Sequence, residues 1–273
     1  MEPALSESAA RVVARLGTVR SVEPVQRLWR GYGWVLRVVT DQASVIVKQV
    51  DLRGAGDGGH GHRRKLRSYE VEEALYADYA ARVPVRLAGC VHASPGLLVL
   101  EDLDAAGFSG RTHTPSERQL EHMVTWLAGF HRHHLGIAAV GLWERGTYWH
   151  LATRPEELAQ MAPGPLREGA SELDRRLVQA PVQTLVHGDA KPANFCFGDD
   201  GVAAVDFQYV GGGVGVRDLV YLLGCLPERR LRLEHDRWVR RYFDRLGHDE
   251  AKACWEPLIP VAWADFERFL AGW

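Results

Sequence analysis

The 273-residue sequence has little of what marks secreted, membrane-embedded or nucleic-acid-binding proteins. Its few cysteines are far apart, without a Cys-x-x-Cys pair, so we expect reduced and mostly buried thiols: Cys90, Cys196, Cys225 and Cys254. The formal net charge of −2 argues against nucleic acid or an anionic membrane as a partner. No apolar run could cross a bilayer, and the first residues lack the apolar stretch of a signal peptide. These absences predict a cytoplasmic protein.

A phosphate-binding loop of the Walker type is also missing. The glycine-rich segment Asp51–Arg67 contains His60 and His62 but is not followed by Gly-Lys-Ser/Thr. We expect this segment to be flexible, and disordered in the absence of a ligand. The rest of the composition, 46% hydrophobic and 25% charged, is that of an ordinary globular protein with one large or two modest domains.

The most informative stretch is Leu185–Gln208. Two short apolar runs, Phe195–Phe197 and Val202–Val205, flank a Gly-Asp-Asp-Gly turn, which predicts a β-hairpin with a four-residue loop. This register brings Asn194, just before the first run, beside Asp206, just after the second. The hairpin therefore predicts one amide and one carboxylate side by side.

A second carboxylate should join this pair. Asp189 precedes Asn194 by five residues on a loop, and Lys191 lies between them. Carboxylate and amide oxygens are ligands that Mg²⁺ prefers, and a separate aspartate can hold a substrate hydroxyl. The alternative is an ordinary turn rich in Asp and Asn beside a core hairpin, which five functional residues at these spacings disfavour.

These residues resemble a known set of motifs. The pattern His187-Gly188-Asp189, Asn194 and Asp206-Phe207 is similar to the catalytic and metal motifs of the aminoglycoside phosphotransferase/choline kinase-like family. The Asp-Phe-Gln ending most resembles its ecdysteroid-kinase-like branch. The resemblance implies an α+β, bilobal protein-kinase-like fold. A small antiparallel β-rich lobe with one key helix would span residues 1–103, and a larger, mainly helical lobe residues 104–273.

The resemblance also implies roles for the residues of this stretch. Asp189 would be the catalytic base that accepts the hydroxyl proton, and Asn194 and Asp206 would hold Mg²⁺ against the phosphates of ATP. Lys191 stands where protein kinases carry a lysine that binds the γ-phosphate. ATP and Mg²⁺ are therefore the expected cofactors.

The first hundred residues predict the small lobe. After a short helix at Ser6–Leu16, three β-rich runs form an antiparallel meander, and two more complete a five-stranded sheet: Val22–Trp29, Trp34–Thr40, Ser44–Val50, Val85–Ala93 and Leu97–Leu100. The turn with Gly31 and Gly33 would cover the nucleotide phosphates. Because it lacks a full Gly-x-Gly-x-x-Gly, the turn by itself is more typical of a simple tight turn, but its position one hairpin before Lys48 favours the nucleotide role.

Lys48 lies at the end of an alternating strand pattern and is expected to steady the α- and β-phosphates. Such a lysine needs a carboxylate from a nearby helix, which Ser68–Arg82 supplies. Glu72 matches the family's Glu-x-x-x-Tyr spacing, while Glu70 and Glu73 remain alternatives on the same helix.

The segment Leu98–Leu103 resembles the family hinge between the lobes. The resemblance implies that the Glu101 carbonyl and the Leu103 amide bind adenine through the backbone, with no role for the side chain of Glu101.

The large lobe is predicted from amphipathic patterns. A long helix at Pro115–His134 would be capped by Thr114 or Ser116, and Gly211–Gly215 would form a mobile segment. Later helices are expected at 220–226, 231–246 and 251–273. His131 and His134 are more typical of packing than of a metal site, because no carboxylate is placed to join them.

Three further features of the large lobe have either an open role or an expected structural role. Gly141–Met161 either overlies the substrate cleft or packs as an insertion. Asp218 is expected to tie the catalytic loop rather than to act in chemistry. Asp265 and Glu267 are interpreted as solvated helix charges, with contact to a cationic substrate as the alternative.

Together these patterns predict an ATP- and Mg²⁺-dependent phosphotransferase that acts on a hydroxyl of a small molecule. A protein kinase is one alternative, since His187–Asn194 has a His-x-Asp-x-Lys-Pro-x-Asn pattern. Gly188 in place of arginine and the lack of Ala-Pro-Glu argue against it. The other alternative is a pseudokinase that binds without catalysis, which the full set of motif residues disfavours.

Overall fold

Alternating apolar side chains build an antiparallel sheet in the first part of the chain. The computed structural model describes residues 4–51 and 59–272. Its first five strands are β1 Val19–Arg27, β2 Gly33–Thr40, β3 Ser44–Val50, β4 Cys90–Ser94 and β5 Leu97–Glu101, in the order β1-β2-β3-β5-β4. On β2 and β3, Leu36, Val38, Val45 and Val47 point into the core beneath helix α1, Glu7–Val13. The predicted five-stranded sheet is confirmed.

The fourth strand is shorter than predicted. It begins at Cys90, because the preceding residues contact the other part of the molecule: Leu87 forms a bridge with Ala204, and the Ala204 amide donates to the Arg86 carbonyl at 3.2 Å.

Helix α2, His60–Ala74, corrects the prediction of a flexible segment up to Arg67. Residues 63–67, four of them basic, are good helix formers, and the helix runs from His60 for two turns before Ser68. A single π-helical turn, Leu75–Tyr79, and a short 3₁₀ turn continue it to Arg82. The remainder of the predicted flexible segment, 52–58, lies outside the described residues.

The second part of the chain is mainly helical. Its helices are α3 Glu117–His133, α4 Pro155–Gln160, α5 Pro165–Glu168, α6 Ala170–Val178, α7 Val216–Gly224, α8 Glu228–Leu246, α9 Asp249–Trp255 and α10 Ile259–Ala271. Ser116 caps α3 through a capping box with Gln119, which selects it over Thr114. Together with the sheet, this part confirms the predicted α+β kinase-like fold.

Four short strands position the candidate site. These are β6 Thr184–Val186, β7 Phe195–Phe197, β8 Val202–Ala204 and β9 Gly211–Gly213. Phe197 pairs with Val202, so the predicted hairpin and its register are confirmed. The prediction of a mobile segment at 211–215 was wrong, because residues 211–213 pair with β6 and are largely buried.

One hydrophobic core runs from α2 through the hairpin to α10. The boundary predicted after residue 103 therefore stays a prediction. None of the helices within 4–51 and 59–272 is long and apolar enough to cross a membrane. The four thiols are free, but only Cys196 is buried, and Cys90 is exposed on the edge strand β4.

Candidate active site

The loop from His187 to Asn194, which we call the 187–194 loop, begins where β6 ends. His187 donates from Nε2 to the Val205 carbonyl at 3.1 Å, and its Nδ1 accepts from the Asp189 amide at 3.2 Å. These bonds assign the imidazole proton to Nε2. They also tie the loop to the segment that carries Asp206.

Gly188 is required by the path of this loop. Its φ is +81°, and a Cβ at this position would lie 2.1 Å from the Tyr209 carbonyl oxygen. A larger residue would displace the backbone on which Asp189 stands.

Asp218, at the start of α7, holds the backbone of the 187–194 loop in place. Its carboxylate accepts from the amides of His187 at 2.6 Å and Gly188 at 3.0 Å, and it contacts His131 Nε2 at 3.1 Å. The residue is 1% exposed. The predicted structural role of Asp218 is therefore supported by its contacts, and His131 packs in the core as expected.

Asp189 uses its two oxygens differently. Oδ2 accepts from Lys191 Nζ and from Asn194 Nδ2, each at 2.9 Å. Oδ1 is buried and has no hydrogen-bond partner in the described part of the chain. A buried acceptor without a partner is costly, so Oδ1 is the atom to which a ligand hydroxyl would donate.

Burial raises the pKa of Asp189 above its usual range; Lys191 opposes this shift, and Asp206 adds to it. A higher pKa makes the carboxylate a better proton acceptor.

Asp206 and Asn194 lie side by side, as the hairpin predicts. The Val205 amide donates to the Asn194 carbonyl at 2.9 Å. Asp206 has a left-handed φ of 64°, a strained conformation that is typical of functional sites, and its Oδ1 is buried without a partner among the described residues. Asn194 donates its Nδ2 to Asp189, which leaves Asn194 Oδ1 as an acceptor.

Asp206 Oδ1 and Asn194 Oδ1 are suitable ligands for a hard divalent cation such as Mg²⁺. Within 4–51 and 59–272, no group of three or more His, Cys, Asp or Glu side chains is placed to hold a metal. The candidate metal site therefore consists of one carboxylate and one amide.

Lys48 forms an ion pair with Glu72 across the gap between β3 and α2. The alternatives face elsewhere: Glu70 pairs with Arg67 at 3.1 Å, and Glu73 accepts from a backbone amide at 2.8 Å. Burial lowers the pKa of Lys48, but the neighbouring carboxylates outweigh this effect and raise it overall. Lys48 is therefore a fully charged, fixed ammonium group.

A cavity of about 500 Å³ joins these elements. Its walls include Lys48, Glu72, Glu101, Leu103, Asn194 and Asp206, six of the residues predicted from the sequence. Asp189 and Lys191 adjoin it through their bonds to each other and to Asn194. A larger cavity of about 850 Å³ borders a different face of α2 and contains none of these side chains.

In the hinge segment, adenine binding by the Glu101 carbonyl and the Leu103 amide stays a prediction. The Glu101 side chain turns away to Arg86 at 2.6 Å and to the Gly89 amide at 2.8 Å. Leu103 is buried against the cavity, and its carbonyl accepts from Phe108.

The glycines of the first turn do not line this cavity; Leu28 and Trp29 do. Gly33 is explained by strand pairing, because a Cβ there would lie 2.0 Å from the Gln49 carbonyl oxygen. A phosphate-covering role for Gly31 and Gly33 stays a prediction.

The segment 141–161 packs directly on the site. The amide of Tyr148 donates to the Gly188 carbonyl at 2.9 Å, and Trp143 Nε1 donates to the Gln208 carbonyl at 2.8 Å. The segment therefore packs against the backbone beside Asp189 and Asp206, whereas its position over a substrate cleft stays a prediction.

Two features differ from what the sequence predicts. Lys65 lines the cavity, although its segment was expected to be disordered. The sequence does contain a clue to this position. Lys65 precedes Glu72 by seven residues, or two helical turns, so that both side chains lie on the same side of the helix. Asp265 was interpreted as a solvated charge, which was wrong: it is completely buried and pairs with Arg217 and Arg268, whereas Glu267 is exposed.

Comparisons with known proteins agree with this geometry. A model of the phosphotransferase enzyme family matches residues 21–258, and the chain belongs to this family. No curated protein sequence is similar enough to count as a match. The family predicted from the motifs is therefore confirmed, whereas its ecdysteroid-kinase-like branch stays a prediction.

Solved structures share the fold at low identity. An amicoumacin kinase in complex with AMP-PNP, Ca²⁺ and its ligand has a TM-score of 0.63 at 16% identity, covering 98% of this chain and 85% of that one. A choline kinase from Streptococcus pneumoniae has a TM-score of 0.57 at 14% identity, with 96% and 88% covered. A macrolide 2'-phosphotransferase from Brachybacterium faecium has a TM-score of 0.56 at 16% identity, with 92% and 89% covered.

Proposed function

We propose that this phosphotransferase moves the γ-phosphate of ATP to a hydroxyl group of a small molecule, with Mg²⁺ as the cofactor. The observation that carries the proposal is the convergence of the Lys48–Glu72 pair, Asn194 with Asp206, and the unpartnered Oδ1 of Asp189 around one cavity. The relatives with this fold include kinases of choline and of amicoumacin, and one was solved with an ATP analogue.

Each side chain has a task in this reaction. The substrate hydroxyl donates to Asp189 Oδ1, its oxygen bonds to the γ-phosphorus, and the bond from that phosphorus to ADP breaks. The proton passes to Asp189. Lys48 binds the α- and β-phosphates, and Lys191, which touches Asp189, binds the transferred group.

Asn194 Oδ1 and Asp206 Oδ1 would hold Mg²⁺. When bound, the ion neutralises charge that develops on the bridging oxygens. The protein itself contributes positioning and fixed charge and needs no covalent intermediate.

Thermal unfolding with Mg²⁺ and AMP-PNP tests the nucleotide site. Ligand at a hundred times its Kd adds about 2.7 kcal/mol to the free energy of unfolding, which raises the Tm by roughly 5 °C or more. We expect this magnesium-dependent shift in the wild type and not in Asp206→Ala. The exposed Asp200, changed to Ala, is the matched control and should keep the shift.

Turnover separates catalysis from binding. Asp189→Ala should keep the thermal shift but lose about 10²–10⁴-fold in ATP-dependent phosphorylation of an accepted alcohol. Equal activity of the variant and the wild type would remove Asp189 from the mechanism. Transfer to generic protein substrates instead would identify a protein kinase, and the lack of any shift at millimolar nucleotide would favour a pseudokinase.

A further inference from the structure

Helix α2 presents a polar face to the candidate metal segment. Lys65, Ser68, Tyr69 and Glu72 are spaced three and four residues apart, so they lie along one side of the helix. Only Glu72 of this face is accounted for by the Lys48 ion pair. Lys65 and Ser68 approach Gln208, two residues after Asp206, and Tyr69 lies beside Lys65.

Lys65 reaches directly into this region. Its Nζ donates to Gln208 Oε1 at 2.5 Å, and Ser68 Oγ lies 3.5 Å from the same oxygen. The ring of Tyr69 lies near both ammonium groups, with its centroid 4.9 Å from Lys65 Nζ and 5.5 Å from Lys48 Nζ. Both lysines line the same cavity as Asp206.

The charge of Lys65 is poorly compensated. Lys48 pairs with Glu72 and Lys191 with Asp189, but within residues 4–51 and 59–272 Lys65 has only a neutral amide as its acceptor. Burial lowers the pKa of Lys65 to about 8, even though Asp206 opposes this shift. A half-buried cation without a counterion is costly, unless a ligand supplies the negative charge.

We propose that Lys65 is a further phosphate-binding residue of this site, which leaves Gln208 and donates to the terminal phosphate oxygens when nucleotide binds. Gln208 holds the ammonium group in the cavity when no phosphate is present. The inference rests on the proposed kinase function. It assigns to α2 two roles, orientation of Lys48 through Glu72 and direct contact with the phosphates through Lys65.

The first experiment uses the wild-type protein. The chain has four lysines, Lys48, Lys65, Lys191 and Lys252, so amine labelling can be followed at each by mass spectrometry. We expect Mg²⁺ with AMP-PNP to slow labelling of Lys65 about tenfold or more, and adenosine to leave it unchanged. The exposed Lys252 should react equally in all samples.

The second experiment measures affinity by calorimetry. Lys65→Met should weaken Mg²⁺–AMP-PNP binding by about 10–100-fold and leave adenosine binding within about twofold, because a charged hydrogen bond to phosphate is lost. Lys65→Arg should recover part of the affinity. Lys252→Met makes the same chemical change away from the site and should bind like the wild type.

The outcomes separate this inference from the proposed function. If the wild type binds AMP-PNP and Lys48 is protected, but Lys65 is labelled at its full rate, then Lys65 only fastens α2 to Gln208. Equal losses for adenosine and AMP-PNP in Lys65→Met would likewise limit Lys65 to this fastening role. If the wild type binds no nucleotide, the proposed function fails together with the role of Lys65.

Discussion

Asp189 shows, at the scale of the residue, how the chemistry of the site depends on single atoms. One carboxylate oxygen receives two hydrogen bonds and is fixed, and the other is buried without a partner among the described residues. The spacing of Asp189 and Asn194 in the sequence predicts that they are close. Which oxygen stays available depends on where Lys191 and the Asn194 amide point, and the structure alone supplies this.

His134 provides a test of burial at one residue. It is 2% exposed, and burial lowers its pKa to about 4, although the Phe130 carbonyl, 2.8 Å from Nδ1, acts in the opposite direction. Between this value and the ordinary 6.5, the unfolded chain binds a proton that the folded chain does not. The stability from neutral His134 is thus complete above pH 6.5 and is lost as the pH falls towards 4.

When the pH is lowered from 7.5 to 5, we therefore expect the wild type to lose about 2 kcal/mol of unfolding free energy because of His134. Urea unfolding at both pH values measures it. His134→Gln should show a correspondingly smaller loss, and the exposed His113, changed to Gln, should leave the wild-type pH dependence unchanged. An identical pH dependence in His134→Gln would show that another group is responsible.

At the scale of elements, helix α2 shows the limit of local patterns. The glycines around residues 52–59 suggest a loop, yet the helix begins at His60 because the basic residues that follow are good helix formers. The hairpin β7–β8, in contrast, is fully predictable, because turn residues and strand lengths define its register.

Helix α7 supports the 187–194 loop through a single carboxylate. Asp218→Asn keeps the shape but removes the charge that accepts two backbone amides, so we expect a loss of about 2–3 kcal/mol in stability and slower turnover. Urea unfolding and a kinase assay measure both effects. Asp244→Asn, an exposed site on α8, is the control, and a stable, fully active Asp218→Asn would contradict a supporting role.

At the scale of the whole molecule, a buried charge cluster joins distant parts of the helical region. Asp265 on α10 contacts Arg217 on α7 at 2.6 Å and Arg268 at 2.9 Å, and Arg268 donates to the Trp149 carbonyl at 3.0 Å. Because its carboxylate is committed to two arginines, Asp265 is not placed to recognise a cationic substrate.

Removing this carboxylate should be costly. Asp265→Asn leaves the buried Arg268 without a carboxylate partner among the described residues, and leaves Arg217 with only Asp174 at 3.9 Å, so we expect about 3–5 kcal/mol of destabilisation in urea unfolding. Glu267→Gln, two residues later on the exposed face of the same helix, should change stability by less than about 0.5 kcal/mol. Similar effects of the two substitutions would restore the solvated interpretation of Asp265.

Local patterns in the chain were enough to predict the sheet, the β7–β8 hairpin, and the positions of Asp189, Asn194 and Asp206 relative to one another. Each strand of the sheet follows from its own alternating pattern, and the hairpin and these site residues lie within one short stretch where spacing dictates geometry. Tertiary packing was needed to show that Glu72 rather than Glu70 or Glu73 meets Lys48, that Lys65 reaches Gln208, and that Asp265 is buried. Each of these contacts joins segments that are distant in sequence. The partner is selected by the direction in which each side chain points after packing, and no local pattern encodes that direction.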